Sequence, residues 1–375
     1  MSTKQSAEWM RERTDKLKEG VCTLFTPSKD MLRRMYLVDE IVHLGIDHLF
    51  EKEIETALKD IHESEFASSN LHEVALRFRL LRERGFWVSP DVFQKFKGDD
   101  GNFLNELADD PRGLISLYNA AHLFIHGEPE FEETISFARN HLESMIQDSV
   151  LKGPLADQVK HALRLPLPRT LKRVEMLHYM FEYDQDNGHN PVLLELAKLD
   201  FNLLQHVHLK ELKEISRWWK DVSGYMGLNH IRDRVIDAVS LVPEYLRKFY
   251  EIMLSTFREF EDQMLSNKRY LVAFNKAELG SQNKADMPCA VETYINEHKV
   301  TVDVAIAKIN ELVEDEWKTT NRARIDNQAV LPVAQRLINL TMAIPMFYGY
   351  DSDAFTFGEQ LREILENLYV KPMPI

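Results

Sequence analysis

Carboxylate side chains are the first groups in this sequence that could do chemistry, because oxygen ligands hold Mg²⁺ in proteins. Aspartates in the pattern DDxxD would share one face of a helix and could converge on such an ion. Paired aspartates occur at positions 99–100 and 109–110. Each pair stands beside Gly or Pro and lacks the third aspartate, so we interpret the pairs as a turn and a helix cap. We interpret the acidic clusters at 259–262 and 314–316 as solvated helix faces.

Other catalytic patterns find no support in the sequence. His72-Glu73 lacks the second histidine of an HExxH zinc motif, and there is no GxSxG, GxGxxG or Gly-rich phosphate loop. The two cysteines, Cys22 and Cys289, are far apart and form no CxxC pair. This cysteine usage indicates neither a zinc site nor a disulfide framework, and it fits a reducing compartment.

Charge and hydropathy exclude two classes of partner. The chain has 46 Lys and Arg against 60 Asp and Glu, a net charge of -14, which argues against a nucleic-acid partner. No run of about 18 apolar residues occurs, so no membrane span is expected. The first 20 residues include acidic side chains and no apolar core, unlike a signal or transit peptide. We therefore expect a cytoplasmic location, and no protein partner is identifiable.

Helical periodicity runs through almost the whole chain, and no sustained alternation predicts a sheet. The sequence therefore predicts an all-α protein. Asp109-Asp110-Pro111 predicts a helix start, with an acidic cap and proline in the first turn. The clearest predicted helices are Asp39–Lys59, Glu73–Gly85, Leu114–Gly127, Phe131–Val150, Leu193–Tyr225 and Val302–Asn321.

Several of these helical segments, in order, resemble the plant terpene synthase family. After a break the resemblance resumes, and the chain closes on KPMPI, as many members do. It extends over residues 8–375 in three blocks separated by two apparent deletions. The matching segments are residues 39–58, 76–97, 113–128, 167–179, 196–220, 242–261, 290–318 and 331–356.

The resemblance implies two all-α domains. Residues 1–220 would form the N-terminal terpene synthase helical barrel domain. Residues 221–375 would form a truncated C-terminal class I terpenoid synthase helical bundle, with about seven helices at typical lengths. A bundle that encloses a prenyl chain needs more helices than that.

The resemblance also implies a reaction. The family ionises a prenyl diphosphate, here farnesyl diphosphate by preference, with Mg²⁺, or Mn²⁺ as the alternative metal, compensating the charge of the leaving group. Arg232 and Arg234 match arginines that hold the departing diphosphate, a role that suits their forked donors. The plain alternative is two arginines at a helix start near Asp233 and Asp237.

Three residues near the C-terminus match pocket and lid-loop positions of the family. Tyr348 and Asp353 match directly, and Phe355 stands where the family usually has tyrosine, which removes a hydroxyl and keeps a ring. The alternative for Tyr348 and Phe355 is a place in an ordinary aromatic core.

Both metal motifs of the family are depleted. Arg234 is followed by VIDAVSLVPEYLRKFYEIML, without the DDxxD helix. The second motif has ligands at i, i+4 and i+8. The closest register places Ser281 on the hydroxyl position, with Ala277 and Ala285 on the other two. Ser281 is thus the single metal-ligand candidate, and a helix-ending loop explains the same stretch.

These observations leave several functions open. The chain could be an active enzyme on farnesyl diphosphate, a non-catalytic remnant produced by splicing, gene-model error or pseudogene decay, an engineered deletion, or a helical scaffold. Two internal losses flanked by well-matched sequence resemble skipped exons more than gradual drift. We expect little or no cyclase activity, and we expect the C-terminal part to be less stable than residues 20–220 because lost helices uncover apolar faces.

Overall fold

The computed structural model of the chain describes residues 6–25, 30–186, 188–224, 290–327, 331–348 and 359–375. Throughout these ranges the regular structure is helical, and the described residues contain no β-strand. One isolated antiparallel bridge joins Lys97 to Phe103. The prediction of an all-α protein is confirmed. None of the described helices is both long and apolar enough to cross a membrane.

Thirteen α-helices lie in the described ranges. Eight of them precede residue 190: α1 (Ala7–Cys22), α2 (Met31–His43), α3 (Glu51–Glu63), α4 (Leu71–Glu83), α5 (Pro111–Ala121), α6 (Glu130–Gln147), α7 (Pro154–Arg164) and α8 (Lys172–Gln185). The others are α9 (Pro191–Gly224), α10 (Ala290–His298), α11 (Val302–Asp326), α12 (Leu331–Tyr348) and α13 (Glu359–Tyr369). Short 3₁₀ segments occupy Thr23–Phe25, Asp47–Leu49, Pro90–Phe96, Asn105–Asp109 and Leu167–Arg169.

The chain divides into two compact units. The first, which we call the main unit, combines Met1–His206 with Glu314–Ile375, and the second is Val207–Val313. Helix α11 starts in the second unit and ends in the main unit. The predicted division into domains 1–220 and 221–375 stays a prediction.

Side-chain caps fix where several helices begin. Asp110 accepts a hydrogen bond from the backbone N–H of Gly113, and Pro111 is the first residue of α5. An acceptor at this place satisfies a backbone donor that has no partner within the helix. The predicted helix start at Asp109-Asp110-Pro111 is confirmed. Asn70 caps α4 in the same way, accepting from the N–H of Glu73.

Two predicted helices end earlier in the structure, one of them at a glycine corner. The predicted helix Asp39–Lys59 is wrong, because α2 ends at His43 and α3 begins at Glu51. Between them Gly45 has a φ of 71°, and a Cβ on it would lie 2.0 Å from Sδ of Met176. Only glycine fits this left-handed backbone and this close approach to α8. The predicted helix Leu114–Gly127 likewise ends early, at Ala121.

A large apolar core holds α1–α9 together. Its fully buried side chains include Phe50, Phe78, Phe131 and Phe201. The rings of Phe78 and Phe131 lie 5.5 Å apart and tilted, an arrangement that aromatic pairs favour. A second, small cluster joins Trp317 of α11 to residues of α12.

Candidate functional site

Most of the residues predicted to bind diphosphate or metal, or to line the lid, lie outside the described residues. Tyr348 is the last residue of α12, next to the predicted lid loop. The roles assigned to all of them stay predictions. The residues of the predicted site that lie outside the described ranges are Arg232, Arg234, Ala277, Ser281, Ala285, Asp353 and Phe355.

The acidic clusters that the sequence brings out have ordinary structural places wherever they lie in the described residues. Asp100 accepts hydrogen bonds from the backbone N–H and the side-chain amide of Asn102, at 3.0 and 2.9 Å, which confirms its interpretation as a turn residue. Asp315 and Glu316 are exposed, as predicted for a solvated face. Glu314 departs from that prediction, because both of its oxygens lie 2.6 Å from the guanidinium of Arg169.

The donors needed for a magnesium site are not assembled in this part of the chain. Among the described residues no group of three or more His, Cys, Asp or Glu side chains could hold a metal ion. The second metal motif offers Ser281 flanked by Ala277 and Ala285, which have no oxygen ligand in their side chains. The described residues therefore offer no such site, and the assignment of Ser281 as a metal ligand stays a prediction.

Helix α11 is anchored to the N-terminal helices within the main unit. Besides the pair with Glu314, the Arg169 guanidinium lies 5.0 Å from the centre of the Trp317 ring, a cation–π arrangement. Asn321 donates from its amide to the carbonyls of His122 and Phe124, both at 3.0 Å. These bonds fix the second half of α11 on the ends of α5 and its following turn.

The C-terminal tail is anchored to α9 by two amide side chains. The amide of Gln205 donates to the carbonyls of Leu368 and Lys371, at 3.3 and 3.1 Å. Asn202 and Met373 exchange two hydrogen bonds, described below. These bonds fix the C-terminal end of α13 and the residues that follow it on α9.

A cavity of about 430 Å³, with several charged and polar side chains in its lining, lies among the N-terminal helices. Five helices close a ring around it: α2, α4, α5, α7 and α8. Neighbouring helices are joined across the ring by polar contacts. Examples are the hydrogen bonds of Tyr183 with Glu40, between α8 and α2, at 3.1 Å, and of Gln158 with Glu182, between α7 and α8, at 3.0 Å.

The two sides of this cavity differ in charge. Helix α8 supplies Glu175 and Glu182 to its lining, and Asp186 follows at the C-terminal end of the helix. Across the ring, α4 and α5 supply Arg79 and Arg112. A side rich in carboxylates therefore faces a side that carries guanidinium groups.

Some of the charged side chains that line the cavity form ion pairs with one another. Asp39 of α2 pairs with Arg79, which also lies 3.4 Å from Glu83. His161 lies 2.6 Å from Glu175, and its ring stacks on that of His178 with centres 4.4 Å apart. Burial raises the pKa of the Glu175 carboxyl, but the hydrogen bond and charge of His161 outweigh it, so that this pKa is lowered overall.

His72 is the lining histidine whose ionisation is most strongly opposed. Its burial and the nearby Arg112 guanidinium lower its pKa to about 4. Its Nδ1 lies 2.6 Å from the hydroxyl of Ser116, while its buried Nε2 has no hydrogen-bond partner. Because the ring is neutral at pH 7 and the serine hydroxyl can donate to Nδ1, the geometry favours a proton on Nε2.

Sequence reasoning missed this cavity. It considered His72 only as half of a zinc motif, and it did not single out His161 or His178. Their positions in the sequence carry no shared spacing, because they come from three helices that meet only in the fold. A weak signal was available in α8, where Glu175 and Glu182 are spaced by seven residues and so share one helical face.

Comparison with known proteins gives consistent matches. The model of the terpene synthase N-terminal domain matches residues 1–163. Tau-cadinol synthase of Zea mays is 36% identical over 516 aligned residues, which cover 99% of this chain and 94% of the maize protein. Alpha-copaene synthase of Zea mays is 34% identical, covering 97% of this chain and 96% of that protein.

The fold also matches solved structures. Isoprene synthase from grey poplar leaves (Populus x canescens) superposes with a TM-score of 0.75 at 22% identity, covering 98% of this chain and 96% of the poplar chain. The same poplar enzyme in complex with three Mg²⁺ ions and dimethylallyl-S-thiolodiphosphate gives a TM-score of 0.75 at 21% identity, with 97% of each chain covered.

Proposed function

This chain belongs to the plant terpene synthase family, and from that premise we propose that it derives from a sesquiterpene synthase and has itself lost most or all of the family reaction. That reaction is the Mg²⁺-dependent ionisation and cyclisation of a prenyl diphosphate, here farnesyl diphosphate, with loss of diphosphate. It would make the ancestral protein a carbon–oxygen lyase of isoprenoid biosynthesis. Mn²⁺ is the second metal to consider.

The names of the relatives support the lineage. Tau-cadinol and alpha-copaene synthases are the maize proteins to which this chain is similar over almost its whole length. The Mg²⁺ ions and the thiolodiphosphate belong to the poplar isoprene synthase complex, and they support Mg²⁺ and a prenyl diphosphate as the ancestral cofactor and substrate.

The observation that carries the loss of activity is the absence of carboxylates where the family's metal motifs belong. The alignment with tau-cadinol synthase extends over 516 residues, 141 more than the 375 of this chain, which supports internal losses. After Arg234 the sequence has no DDxxD pattern to hold the Mg²⁺ that would compensate the charge of the departing diphosphate.

A second candidate is a non-catalytic helical scaffold. The intact apolar core of α1–α9 and the anchored tail favour it, because both persist although the metal motifs do not. If the chain is a scaffold, Arg232 and Arg234 could still bind diphosphate. Tyr348, Asp353 and Phe355 would then belong to a lid and pocket in which no reaction takes place. A cytoplasmic location is part of the same proposal and rests on the cysteine usage.

The experiment is an incubation of the purified full chain with farnesyl diphosphate or geranyl diphosphate, with Mg²⁺ or Mn²⁺, followed by gas chromatography and mass spectrometry of the volatiles. The maize tau-cadinol synthase, assayed in parallel, controls for substrate quality. We expect no terpene above the level of a boiled sample.

Turnover that disappears in both Arg232→Gln and Arg234→Gln would overturn the proposal, because it would show that the diphosphate arginines still serve a working site. Turnover that survives both substitutions would point to a contaminating activity, and the assay would then be repeated on protein purified by a second route. Sequencing the encoding locus separates splicing from decay, since a skipped exon would still encode an aspartate-rich helix after the codon for Arg234.

A further inference from the structure

We propose that the cavity enclosed by α2, α4, α5, α7 and α8 is a binding site for a small zwitterionic molecule, with a carboxylate at one end and an ammonium group at the other. The inference is independent of the proposed function, because it concerns helices far in sequence from the metal motifs. It rests on the size of the cavity, on polar groups without partners and on the separation of charge across the ring.

The size of the cavity suits a small molecule. Its volume of about 430 Å³ falls within the range of about 300–1,000 Å³ that is usual for ligand pockets. A single water molecule takes about 30 Å³ of liquid volume, so the cavity has room for a ligand of several non-hydrogen atoms together with some water. The five surrounding helices are rigid elements, which hold a preformed site better than loops do.

The α4 and α5 side offers donors for a carboxylate. Arg112 forms no hydrogen bond or ion pair with another described residue, and its exposed guanidinium lines the cavity. Nε2 of His72 is buried without a partner, which costs free energy unless a ligand or water satisfies it. A guanidinium beside a neutral imidazole N–H provides charge together with a directed hydrogen bond, the combination that binds carboxylates.

The α8 side offers acceptors for an ammonium group. Glu182 accepts a hydrogen bond from Gln158 at 3.0 Å and lies 3.1 Å from Nε2 of His178. A carboxylate has about four lone-pair positions, so Glu182 retains capacity for a further donor. Glu175 of α8 and Asp186, just after the helix, add negative charge to the cavity lining.

The charge balance selects against simpler ligands. The lining carries four carboxylates, those of Asp39, Glu175, Glu182 and Asp186, against the two guanidinium groups of Arg79 and Arg112. A ligand with only a negative charge would face repulsion from α8, and a ligand with only a positive charge would leave the Arg112 side unmatched. A metal ion does not fit either, because these groups do not converge on one point.

The test compares three ligands of matched length on the full chain: 5-aminopentanoate, pentanoate and pentylamine. Binding is measured by isothermal titration calorimetry and by NMR of the chain labelled at histidine. We expect 5-aminopentanoate to bind saturably and about tenfold or more tighter than either single-charge analogue, since it adds a second charge-assisted contact. We expect it to shift the ring signals of His72 and His178 and to leave those of the exposed His62 unchanged.

Variants assign the two ends. Arg112→Gln should weaken binding of 5-aminopentanoate about tenfold, and Glu182→Gln should remove its advantage over pentanoate. Arg11→Gln and Glu65→Gln, at exposed positions outside the cavity, are the matched controls and should bind like the parent. If a cavity variant fails to fold, the histidine shifts of the parent protein still decide the question.

Three results would overturn the proposal. They are no saturable binding by any of the three compounds, equal affinity for all three, and saturable binding that leaves the His72 and His178 signals in place. The first would indicate a cavity filled by water alone, and the second and third would indicate non-specific association elsewhere on the chain.

Discussion

Asn202 and Met373 exchange two hydrogen bonds: the Asn202 amide donates to the Met373 carbonyl at 2.9 Å, and the Met373 backbone N–H donates to the Asn202 amide oxygen at 2.8 Å. The side chain thus pairs with a backbone as a neighbouring β-strand would. Asn202 is buried, so both bonds are shielded from competing water. A residue in the middle of α9 therefore fixes the last residues of the chain.

Replacing Asn202 by aspartate should release the tail. The variant Asn202→Asp keeps the shape but removes the donor and places a carboxylate oxygen against the Met373 carbonyl. We expect a loss of about 1–3 kcal/mol in the free energy of unfolding, measured by urea denaturation, and faster proteolysis of the C-terminus. Asn310→Asp, at an exposed position of α11, should change stability by less than about 0.5 kcal/mol. Equal effects of the two substitutions would show that the pairing contributes nothing specific.

The bidentate pair of Arg169 with Glu314 should stabilise the contact between α11 and the N-terminal helices. Arg169 is 8% exposed and Glu314 41% exposed. Removal of the carboxylate in Glu314→Gln would leave a nearly buried guanidinium without its counter-charge, and we expect a cost of about 1–2 kcal/mol. The matched control is Glu316→Gln on the exposed face of the same helix. Thermal denaturation that does not distinguish the two variants would contradict this prediction.

The buried pair of Arg82 with Glu128 should be the most sensitive ion pair to single substitution. Both side chains are almost fully buried, and the Arg82 guanidinium also donates to the Val88 carbonyl. In Glu128→Gln the amide cannot balance the buried charge, so we expect a loss of about 3–5 kcal/mol in urea denaturation. Glu65→Gln, at an exposed loop position, is the control. A loss below about 1 kcal/mol would mean that the backbone acceptors alone satisfy Arg82.

Local features of the fold could be predicted from the sequence, whereas contacts between distant segments could not. The start of α5 at Asp110 and Pro111 is a local matter of capping, and the sequence predicts it correctly. The break at Gly45 was missed because the apolar periodicity continues across it, while the close approach of Met176 is a property of the fold. The partner of Glu314 is 145 residues away, at Arg169, so a local pattern could indicate only an acidic helix face.

Acid should destabilise the chain through His72. Its pKa is about 4 in the folded protein against 6.5 for an ordinary histidine, so the unfolded state takes up the proton first. Stability therefore falls as the pH drops from about 6.5 towards 4, and this contribution is absent in His72→Asn. We expect the parent to lose on the order of 1 kcal/mol more than the variant between pH 7 and pH 5, in urea denaturation at both pH values.

Other histidines titrate in the same range, so the comparison of parent and variant is essential. The hydrogen bond from His178 to Glu182 raises the pKa of His178, and that contribution has the opposite sign. It is common to both proteins and cancels in the difference. An identical pH dependence of the two proteins would contradict the assignment of a low pKa to His72.

Mg²⁺ and diphosphate together should stabilise this chain no more than diphosphate alone. A ligand present at about 100 times its dissociation constant adds about 2.7 kcal/mol to the free energy of unfolding. The maize tau-cadinol synthase is the positive control for such a shift in melting temperature. We expect this chain to show no Mg²⁺-dependent increment, because Ser281 has alanines at the other two ligand positions. An increment abolished by Ser281→Ala would contradict the loss of the metal site.

The metal site and the cavity differ in how well their residues could be predicted from the sequence. The metal motifs can be searched for in the sequence because their ligands have fixed spacing along a helix. The roles predicted for Arg232, Arg234, Tyr348, Asp353 and Phe355 come from the resemblance alone. The cavity is different, since His72, His161 and Glu182 come from three helices whose meeting depends on the packing of the ring. No spacing rule joins such residues before the fold is known.

The discontinuity of the main unit has a consequence for synthesis on the ribosome. Its first segment ends at His206, and its second begins at Glu314, so Arg169, Asn202 and Gln205 are made long before the residues that they bind. At about 5–20 residues per second, the 169 residues after His206 take about 10–30 s to translate. During that interval those side chains of the nascent chain lack their partners and are accessible to chaperones, and the unit can close only after its second segment has left the exit tunnel.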